Sequence, residues 1–126
     1  MVAGAERVAR ARACIGARFR PHGRAAAYGL DCVGVAAIAF GRAVAGSYTL
    51  RGGEGDALAA RIDALGLKRV AQAGEGDLML IEAGMGQWHL AVATGDGFVH
   101  ADARLRRVVE TPGRPQGAIL AWTEGE

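Results

Sequence analysis

Cysteine is scarce in this chain, and that scarcity excludes the small disulfide-stapled domains of secreted proteins. The 126 residues contain two cysteines and no CxxC or HxxxH pair with metal-ligand spacing. A chain of this length can bury a core without disulfide or metal staples. We therefore predict a single domain over residues 1–126 and no cofactor.

The chain also lacks long hydrophobic runs and a large charge of one sign. No stretch approaches the roughly 18 consecutive apolar residues of a membrane span, and arginines interrupt any signal-peptide segment near the N-terminus. A formal net charge of +2 is too small to indicate nucleic-acid binding. We expect synthesis in the cytoplasm without a signal peptide, and neither nucleic acid nor a membrane as a partner.

Helical patterns fill the first half of the sequence. Residues 2–18 predict an amphipathic helix with arginines away from its apolar face. Proline and glycine then predict a loop over residues 19–30. Residues 31–45 are apolar on nearly every side, which is typical of a buried central helix. Residues 56–65 predict a third helix with Asp56 as its N-cap.

Short β-type runs separated by glycines fill the second half. Helices followed by antiparallel strands indicate an α+β fold, in which the central helix packs on a sheet of about five strands. The predicted strands cover residues 78–81, 88–94, 98–101, 106–110 and 118–122.

Cys32 stands at the start of the apolar helix. Asp31 is a natural N-cap, so the thiol lies at the first helical position, where unpaired N–H groups and the helix dipole lower a thiol pKa. Gly34 leaves room for another chain or a substrate to approach. The alternative is that Cys32 is a small core residue, which is the interpretation that we keep for Cys14.

A nucleophilic cysteine needs a base, and the chain has three histidines. His22 lies in the first loop, whereas His89 begins one predicted strand and His100 ends the next. A two-residue hairpin loop at Gly95–Asp96 would place Ala91 opposite His100. With that loop, both imidazoles project from one face of the sheet as diagonal neighbours.

The buried helix is expected to pack against that face of the sheet. Cys32 then reaches His89, and His100 orients the base, as in an activated thiol. Two alternatives stay open at this point. The same three side chains can hold a catalytic zinc ion, and each histidine can simply be a surface or core residue.

Four short pieces of the sequence, in a fixed order, resemble a known family. They are "LDCVG", "GDLMLI", "WHLAVAT" and "FVHA", and together they resemble the NlpC-type peptidases, bacterial papain-like cysteine peptidases that cut cell-wall peptides. The resemblance implies a papain-like α+β fold, with Cys32 as nucleophile, His89 as general base and His100 as the residue that orients it. It also implies hydrolysis of peptidoglycan stem peptides through an acyl-enzyme, at the bond between γ-D-glutamate and a diamino acid.

The sequence departs from the family pattern around the cysteine. Phe19 stands where the family carries a tyrosine, and Val33 replaces the usual serine. Oxyanion stabilisation then rests more on the Cys32 backbone N–H, with His22 or Tyr28 as substitutes for the missing hydroxyl. The residues expected around the oxyanion and the substrate are Asp31, Phe19, His22, Tyr28 and Trp88.

With these departures, the chain is most similar to the short family members encoded with phage tails and gene transfer agents. We therefore expect an enzyme carried on a virion-like or tail particle, with tail-tip or baseplate proteins as partners. Two alternatives stay open: a structural tail protein of the same fold with little or no activity, and a cytoplasmic amidase that acts on a small amide.

Overall fold

The computed structural model describes residues 2–42, 55–84 and 86–124. Helices precede a six-stranded antiparallel sheet, which confirms the predicted α+β layout. In chain order, the elements are α1 (Gly4–Ala13), β1 (Arg24–Ala25), β2 (Gly29–Leu30), α2 (Cys32–Phe40), α3 (Gly55–Asp63), β3 (Lys68–Val70), β4 (Leu78–Gly84), β5 (Gln87–Ala93), β6 (Gly97–Asp102), β7 (Arg107–Pro112) and β8 (Ala118–Thr123).

The sheet has the strand order β3-β8-β4-β5-β6-β7. Five of these strands overlap the predicted ranges, but β3 was not predicted. It has three residues and pairs with β8 at the edge of the sheet. Lys68 and Arg69 are both exposed, so β3 lacks the alternation of apolar and polar residues that indicates a half-buried strand.

The first helix is shorter than predicted because the chain turns to join the sheet. It ends at Ala13 rather than at residue 18, and Gly16 then adopts a left-handed backbone with φ 91°. The Gly16 N–H donates to the Val108 carbonyl at 2.9 Å, and the Val108 N–H donates to the Ala17 carbonyl at 2.9 Å. Residues 16–18 therefore run beside the edge strand β7 instead of continuing the helix.

The loop predicted over residues 19–30 contains a small hairpin. In it β1 pairs with β2, with Arg24 opposite Leu30 and Ala25 opposite Gly29. This hairpin leads directly into α2, so its position sets the direction from which the chain enters the helix.

The central helix begins where predicted and ends earlier. Its N-cap is Asp31, but Gly41 adopts a left-handed backbone with φ 63° and stops the helix at Phe40. The predicted continuation is wrong at residues 41–42, and residues 43–45 lie outside the described part of the chain.

The third helix begins and ends earlier than predicted. It starts at Gly55, so Asp56 lies inside the helix rather than at its cap, and it ends at Asp63. Within the described ranges, no helix has the length and apolar character needed to cross a membrane.

Two apolar clusters lie on the two sides of the sheet. The larger packs α2 against it, and its fully buried large side chains are Leu30, Val35, Leu80, Val92, Val99, Val108 and Trp122. The second consists of Met79, Ile81, Ala91, Ala93, Phe98 and Ala121. Because successive strand residues point to opposite sides, α2 faces the side of β5 that carries Leu90 and Val92.

The start of α2 touches the turn before β1 so closely that neither backbone has room for a side chain. A Cβ at Gly34 would lie 2.2 Å from the Gly23 carbonyl oxygen, and a Cβ at Gly23 would lie 2.2 Å from the Gly29 carbonyl oxygen. The room predicted beside Gly34 is therefore occupied by another part of the chain.

We expect Gly34→Ala to lower the free energy of unfolding by about 1–3 kcal/mol, measured by urea denaturation. Alanine favours a helix over glycine by up to about 1 kcal/mol, but the clash is with backbone that cannot rotate away. Gly74→Ala is the matched control, since its Cβ would meet only an Asp77 side-chain oxygen at 3.5 Å. Equal stability of the two variants would contradict the close packing at Gly34.

Candidate active site

The carboxylate of Asp31 joins the start of α2 to the turn before β1. Its Oδ1 accepts hydrogen bonds from the Gly34 N–H at 2.8 Å and from the Arg24 guanidinium at 3.1 Å. Its Oδ2 accepts from the His22 N–H at 2.8 Å. The sequence places Asp31 near the oxyanion or the substrate, but these oxygens bind donors of the chain itself. Asp31 therefore acts as the cap that fixes the position of Cys32.

The Cys32 thiol faces the backbone of β5. It is buried, with 3% of the residue exposed, and the backbone N–H groups of Leu90, Val33 and Cys32 itself are directed at the sulfur. These donors lower the thiol pKa, as expected at a helix N-terminus. Burial has the larger effect and, together with the charge of Asp31, raises the pKa of Cys32 to about 12. The predicted net lowering is wrong, and the site holds a neutral thiol.

Leu90 can direct its N–H at the sulfur because β5 and β6 separate at this point. The pairing of the two strands covers Val92 and Ala93 of β5. Successive N–H groups of a strand point alternately to its two neighbouring strands. The Ala93 N–H donates to the Asp77 carbonyl, on the β4 side, at 2.8 Å, so the Leu90 N–H, three residues earlier, points toward β6. There it meets the Cys32 sulfur. The first turn of α2 therefore lies at the gap where the two strands diverge.

His89 and His100 are in direct contact on these two strands. The Thr94 N–H donates to the Gly97 carbonyl at 2.8 Å, which leaves Gly95–Asp96 as the hairpin loop. The pairs Val92–Val99 and Ala93–Phe98, continued by one residue, put Ala91 in register with His100, as the loop length predicts. His89 Nε2 lies 2.7 Å from His100 Nδ1, and the ring centroids are 4.9 Å apart with the rings nearly perpendicular. One hydrogen bond between the imidazoles therefore orients the His89 ring.

The other nitrogen of His100 contacts a residue that sequence reasoning missed. His100 Nε2 lies 2.9 Å from the Thr111 hydroxyl on β7. In the register of β6 with β7, His100 is opposite Val109, so Thr111 is its diagonal neighbour. Both side-chain contacts span 11 residues of sequence. That repeated spacing is the signal in the sequence that could have identified Thr111.

The prediction that α2 packs against the histidine-bearing face is wrong. Leu90 belongs to the cluster that contacts α2, whereas Ala91 and Ala93, on the same side of β5 as His89, belong to the second cluster. Cys32 instead meets β5 at its backbone, at the gap between the strands. The N–H that faces the sulfur belongs to Leu90, the next residue after His89.

The contact between the imidazoles also bears on the zinc alternative. A zinc ion lies about 2.0–2.1 Å from each imidazole nitrogen that binds it, whereas His89 Nε2 and His100 Nδ1 face each other at 2.7 Å. This geometry fits a hydrogen bond and leaves no space for an ion between the two atoms. In the part of the chain that the structure describes, no group of three or more His, Cys, Asp or Glu side chains can hold a metal ion.

Burial keeps both imidazoles neutral. It lowers the pKa of His89 to about 4, an effect that His100 increases and the charge of Asp102 opposes. Burial also lowers the pKa of His100, again against the charge of Asp102. At neutral pH the site therefore contains a neutral thiol and two neutral imidazoles.

The aromatic residues expected near the substrate lie in different environments. Phe19 is half-buried against the core and forms a bridge with Leu30, and its ring has no hydrogen-bond donor. Tyr28 is 74% exposed in the turn between β1 and β2. Trp88 is half-buried in β5, next to His89.

The other cysteine and the third histidine have separate positions. Cys14 is buried after α1, with its sulfur 3.4 Å from the Arg10 carbonyl oxygen, which fits its interpretation as a core residue. His22 is exposed and has a left-handed backbone with φ 60°. Its backbone N–H donates to the Asp31 carboxylate.

The lowered pKa of His89 predicts that the fold loses stability in acid. The unfolded chain protonates His89 near pH 6.5 and the folded chain near pH 4, so the unfolded state binds more protons between these values. The free energy of unfolding should fall as the pH drops through this window, by at most about 1.4 kcal/mol per pH unit from His89. Urea unfolding at several pH values between 4 and 6.5 measures how far the free energy of unfolding falls. The fall should be smaller in His89→Gln than in His22→Asn. Equal falls would contradict the burial effect.

Comparison with known proteins supports the resemblance at the level of the fold. No family model matches the chain, and no curated protein matches it in sequence. Among solved structures, the chain is similar to the NlpC/p60 domain of the peptidoglycan hydrolase SagA, with a TM-score of 0.69 and 25% identity over 98% of this chain and 100% of that one. The chain therefore has the papain-like NlpC/p60 fold, as predicted, and this similarity supports its placement with the NlpC-type hydrolases.

Proposed function

We propose that the chain is a cysteine peptidase of peptidoglycan stem peptides, in which Cys32 is the nucleophile, His89 the general base and His100 the residue that orients it. The observation that carries the proposal is the 2.7 Å contact between His89 Nε2 and His100 Nδ1, beside the Leu90 N–H that faces the Cys32 sulfur. A nucleophile, a base and an orienting group in this order form an activated thiol. The similarity to a peptidoglycan hydrolase domain supports the substrate class.

The acylation step follows from the free nitrogen of His89. Nε2 is bonded to His100, so Nδ1 takes the proton of the thiol while the sulfur attacks the carbonyl carbon of the scissile amide. The tetrahedral intermediate then expels the amine, which leaves with the proton from His89. The N–H groups of Cys32 and Val33, which face the sulfur at the open end of α2, are the donors available to the oxyanion. Phe19 contributes none.

The deacylation step returns the site to its neutral state. A water molecule attacks the thioester carbon, His89 Nδ1 takes one of its protons, and the same proton returns to the sulfur as it leaves. The products are the neutral thiol and a carboxylic acid, which gives its proton to solvent water and becomes a carboxylate. We place the cleaved bond between γ-D-glutamate and a diamino acid, as the sequence resemblance implies.

Purified sacculi test the proposal directly. Incubation with the protein should release new amino termini, and Cys32→Ala should reduce the rate by at least about a thousandfold. Cys14→Ala is the matched control and should retain the activity. Digestion that survives in Cys32→Ala would overturn the nucleophile assignment. If the folded wild-type protein does not digest sacculi, the result would favour a structural tail protein of the same fold. If it also cleaves small amides, the result would favour the amidase.

The charge at the site end of the sheet fits an acidic substrate. The strands β5 and β6 are antiparallel, so His89, His100 and the β6–β7 turn lie at the same end. Five exposed arginines lie here, and we call them the arginine rim: Arg18, Arg20, Arg104, Arg106 and Arg107. Within the described residues, none of the five forms an ion pair, whereas Arg7, Arg10, Arg12, Arg24, Arg42 and Arg69 each do.

Backbone contacts connect the arginine rim to the start of α2. Arg18 forms a bridge with Arg107, and the Arg20 N–H donates to the Leu30 carbonyl at 3.1 Å, two residues before Cys32. A γ-linked D-glutamate keeps its α-carboxylate, and a diamino acid with two carboxyl groups keeps one of them free as well. The stem peptide is therefore an anionic ligand that unpaired arginines can attract.

We expect the activity on sacculi to fall with rising salt, and Arg104→Gln to lower kcat/KM roughly two- to fivefold at low salt, the range of one exposed charge pair. Arg114→Gln is the matched control. It is also exposed, but it follows β7 at the opposite end of the sheet, so its kcat/KM should match that of the wild type. Equal effects of the two substitutions would show that the arginine rim does not contribute to substrate binding.

Association with a phage tail or a gene-transfer-agent particle is a further part of the proposal. It rests on the sequence resemblance to the short members of the family, and its partners would be tail-tip or baseplate proteins. A local opening of the wall by such a particle needs the same reaction at the same three residues.

A further inference from the structure

Two arginines of the rim lie on a segment that extends the sheet beyond its edge strand. In the register of β6 with β7, His100 is opposite Val109, so Arg107, two residues before Val109, points to the same side of the sheet as His100. Arg18 forms an antiparallel bridge with Arg107, and Arg20 follows two residues later in the same extended segment. The side chains of Arg18 and Arg20 therefore lie on the side of the sheet that carries the histidines.

We propose that Arg20 is a specificity-determining residue, which binds the α-carboxylate of the γ-linked D-glutamate whose amide bond is cleaved. The inference rests on the proposed function for the identity of the substrate. It gives Arg20 a direct contact with one group of the peptide, whereas the arginine rim as a whole attracts the anionic peptide at longer range. The contact discriminates between a free α-carboxylate and the corresponding amide.

The backbone and the side-chain stem of Arg20 are held in place. Its N–H donates to the Leu30 carbonyl at 3.1 Å, and its carbonyl accepts from the Gly23 N–H at 2.9 Å. A Cβ at Gly29 would lie 2.6 Å from Arg20 Cβ and 3.6 Å from Arg20 Cδ, so the stem crosses the bare backbone of Gly29, which is buried. Because the stem is already fixed, the guanidinium of this exposed residue loses less freedom when it binds a ligand.

Other arginines near the start of α2 have acidic groups of the chain beside them. Arg24 forms an ion pair with Asp31 at 3.1 Å, and Arg107 is opposite Asp102 in the register of β6 with β7. Among the residues that the structure describes, Arg20 has no ion-pair partner. Its guanidinium is therefore available to a carboxylate from outside the chain.

The substrate brings such a carboxylate close to the nucleophile. In a γ-linked D-glutamate, the α-carboxylate lies a few bonds from the carbonyl carbon that Cys32 attacks. This carboxylate loses part of its hydration when the carbonyl reaches the buried sulfur, and a charge removed from water needs a partner. Arg20 is bonded to Leu30, two residues before Cys32. A planar guanidinium can donate two parallel hydrogen bonds to one carboxylate, which makes arginine suited to this contact.

A pair of stem peptides that differ only at the α-carboxyl group of D-glutamate tests the contact. One peptide carries the free carboxylate and the other a primary amide. In about 0.15 M salt the Debye length is about 8 Å, so the longer-range attraction of the rim is largely screened. The wild type should cleave the carboxylate peptide with a kcat/KM about tenfold higher, the effect of one charge-assisted hydrogen-bonded pair. Arg20→Gln should bring the ratio close to one, whereas Arg104→Gln, the matched control, should keep it.

Binding to Cys32→Ala, which lacks the nucleophile, gives the second readout. Calorimetric titration should give a Kd about tenfold lower for the carboxylate peptide than for the amide, and adding Arg20→Gln should remove the difference. Equal Kd values for the two peptides, or a preference that survives Arg20→Gln, would overturn the inference. A protein that binds with the expected preference but cleaves neither peptide would contradict the proposed function and leave the assignment of Arg20 in place. Binding of neither peptide would contradict both.

Discussion

The buried carboxylate of Asp31 is the contact on which the geometry of the candidate site depends. It caps α2 at Gly34 and binds both the His22 N–H and the Arg24 guanidinium, so one side chain fixes the helix and the turn packed against it. A cap of this kind contributes about 1 kcal/mol, and a hydrogen bond to a charged group contributes about 1.5–3 kcal/mol. The same negative charge raises the pKa of the adjacent Cys32 thiol. The contact that positions the sulfur therefore also opposes its ionisation.

This conflict explains why the resting site is neutral. A helix N-terminus stabilises a nearby anion by up to about 2 kcal/mol, whereas removing an ion from water costs several kcal/mol. Burial therefore decides the pKa of both Cys32 and His89, in the directions that keep each neutral. A thiolate formed by proton transfer to His89 is created together with an imidazolium, and the two opposite charges offset part of the cost of burial. In this site the sulfur ionises during the reaction and is a neutral thiol in the resting state.

Sequence patterns could predict the elements and the contact between the histidines, because both follow from local rules. An Asp before an apolar run predicts the cap at Asp31 and the helix start at Cys32, and a two-residue hairpin loop fixes the relative positions of His89 and His100. The side of the sheet that α2 covers could not be predicted, since it depends on where β5 and β6 separate and on the turn at Gly23 that packs against α2. The thiol pKa was predicted in the wrong direction because the place of Cys32 at the helix start is readable from sequence, whereas the burial of its sulfur against the backbone of β5 is not. Thr111 was missed because a threonine near a strand end is common.

The line of side chains from the sulfur to the edge strand combines the two properties that this chemistry needs. At its inner end, Cys32 is buried and His89 is half-buried, which strengthens the electrostatic effect of the donors around them. At its outer end, Thr111 lies on β7, which is the edge of the sheet and only half-buried, so the last proton of the line can be exchanged with solvent. A hydrogen-bonded line that was buried throughout would leave an unpaired group at its end, and one that was exposed throughout would exchange its contacts for water. The strand order of the sheet supplies both ends because β5, β6 and β7 are neighbours and β7 is the last of them.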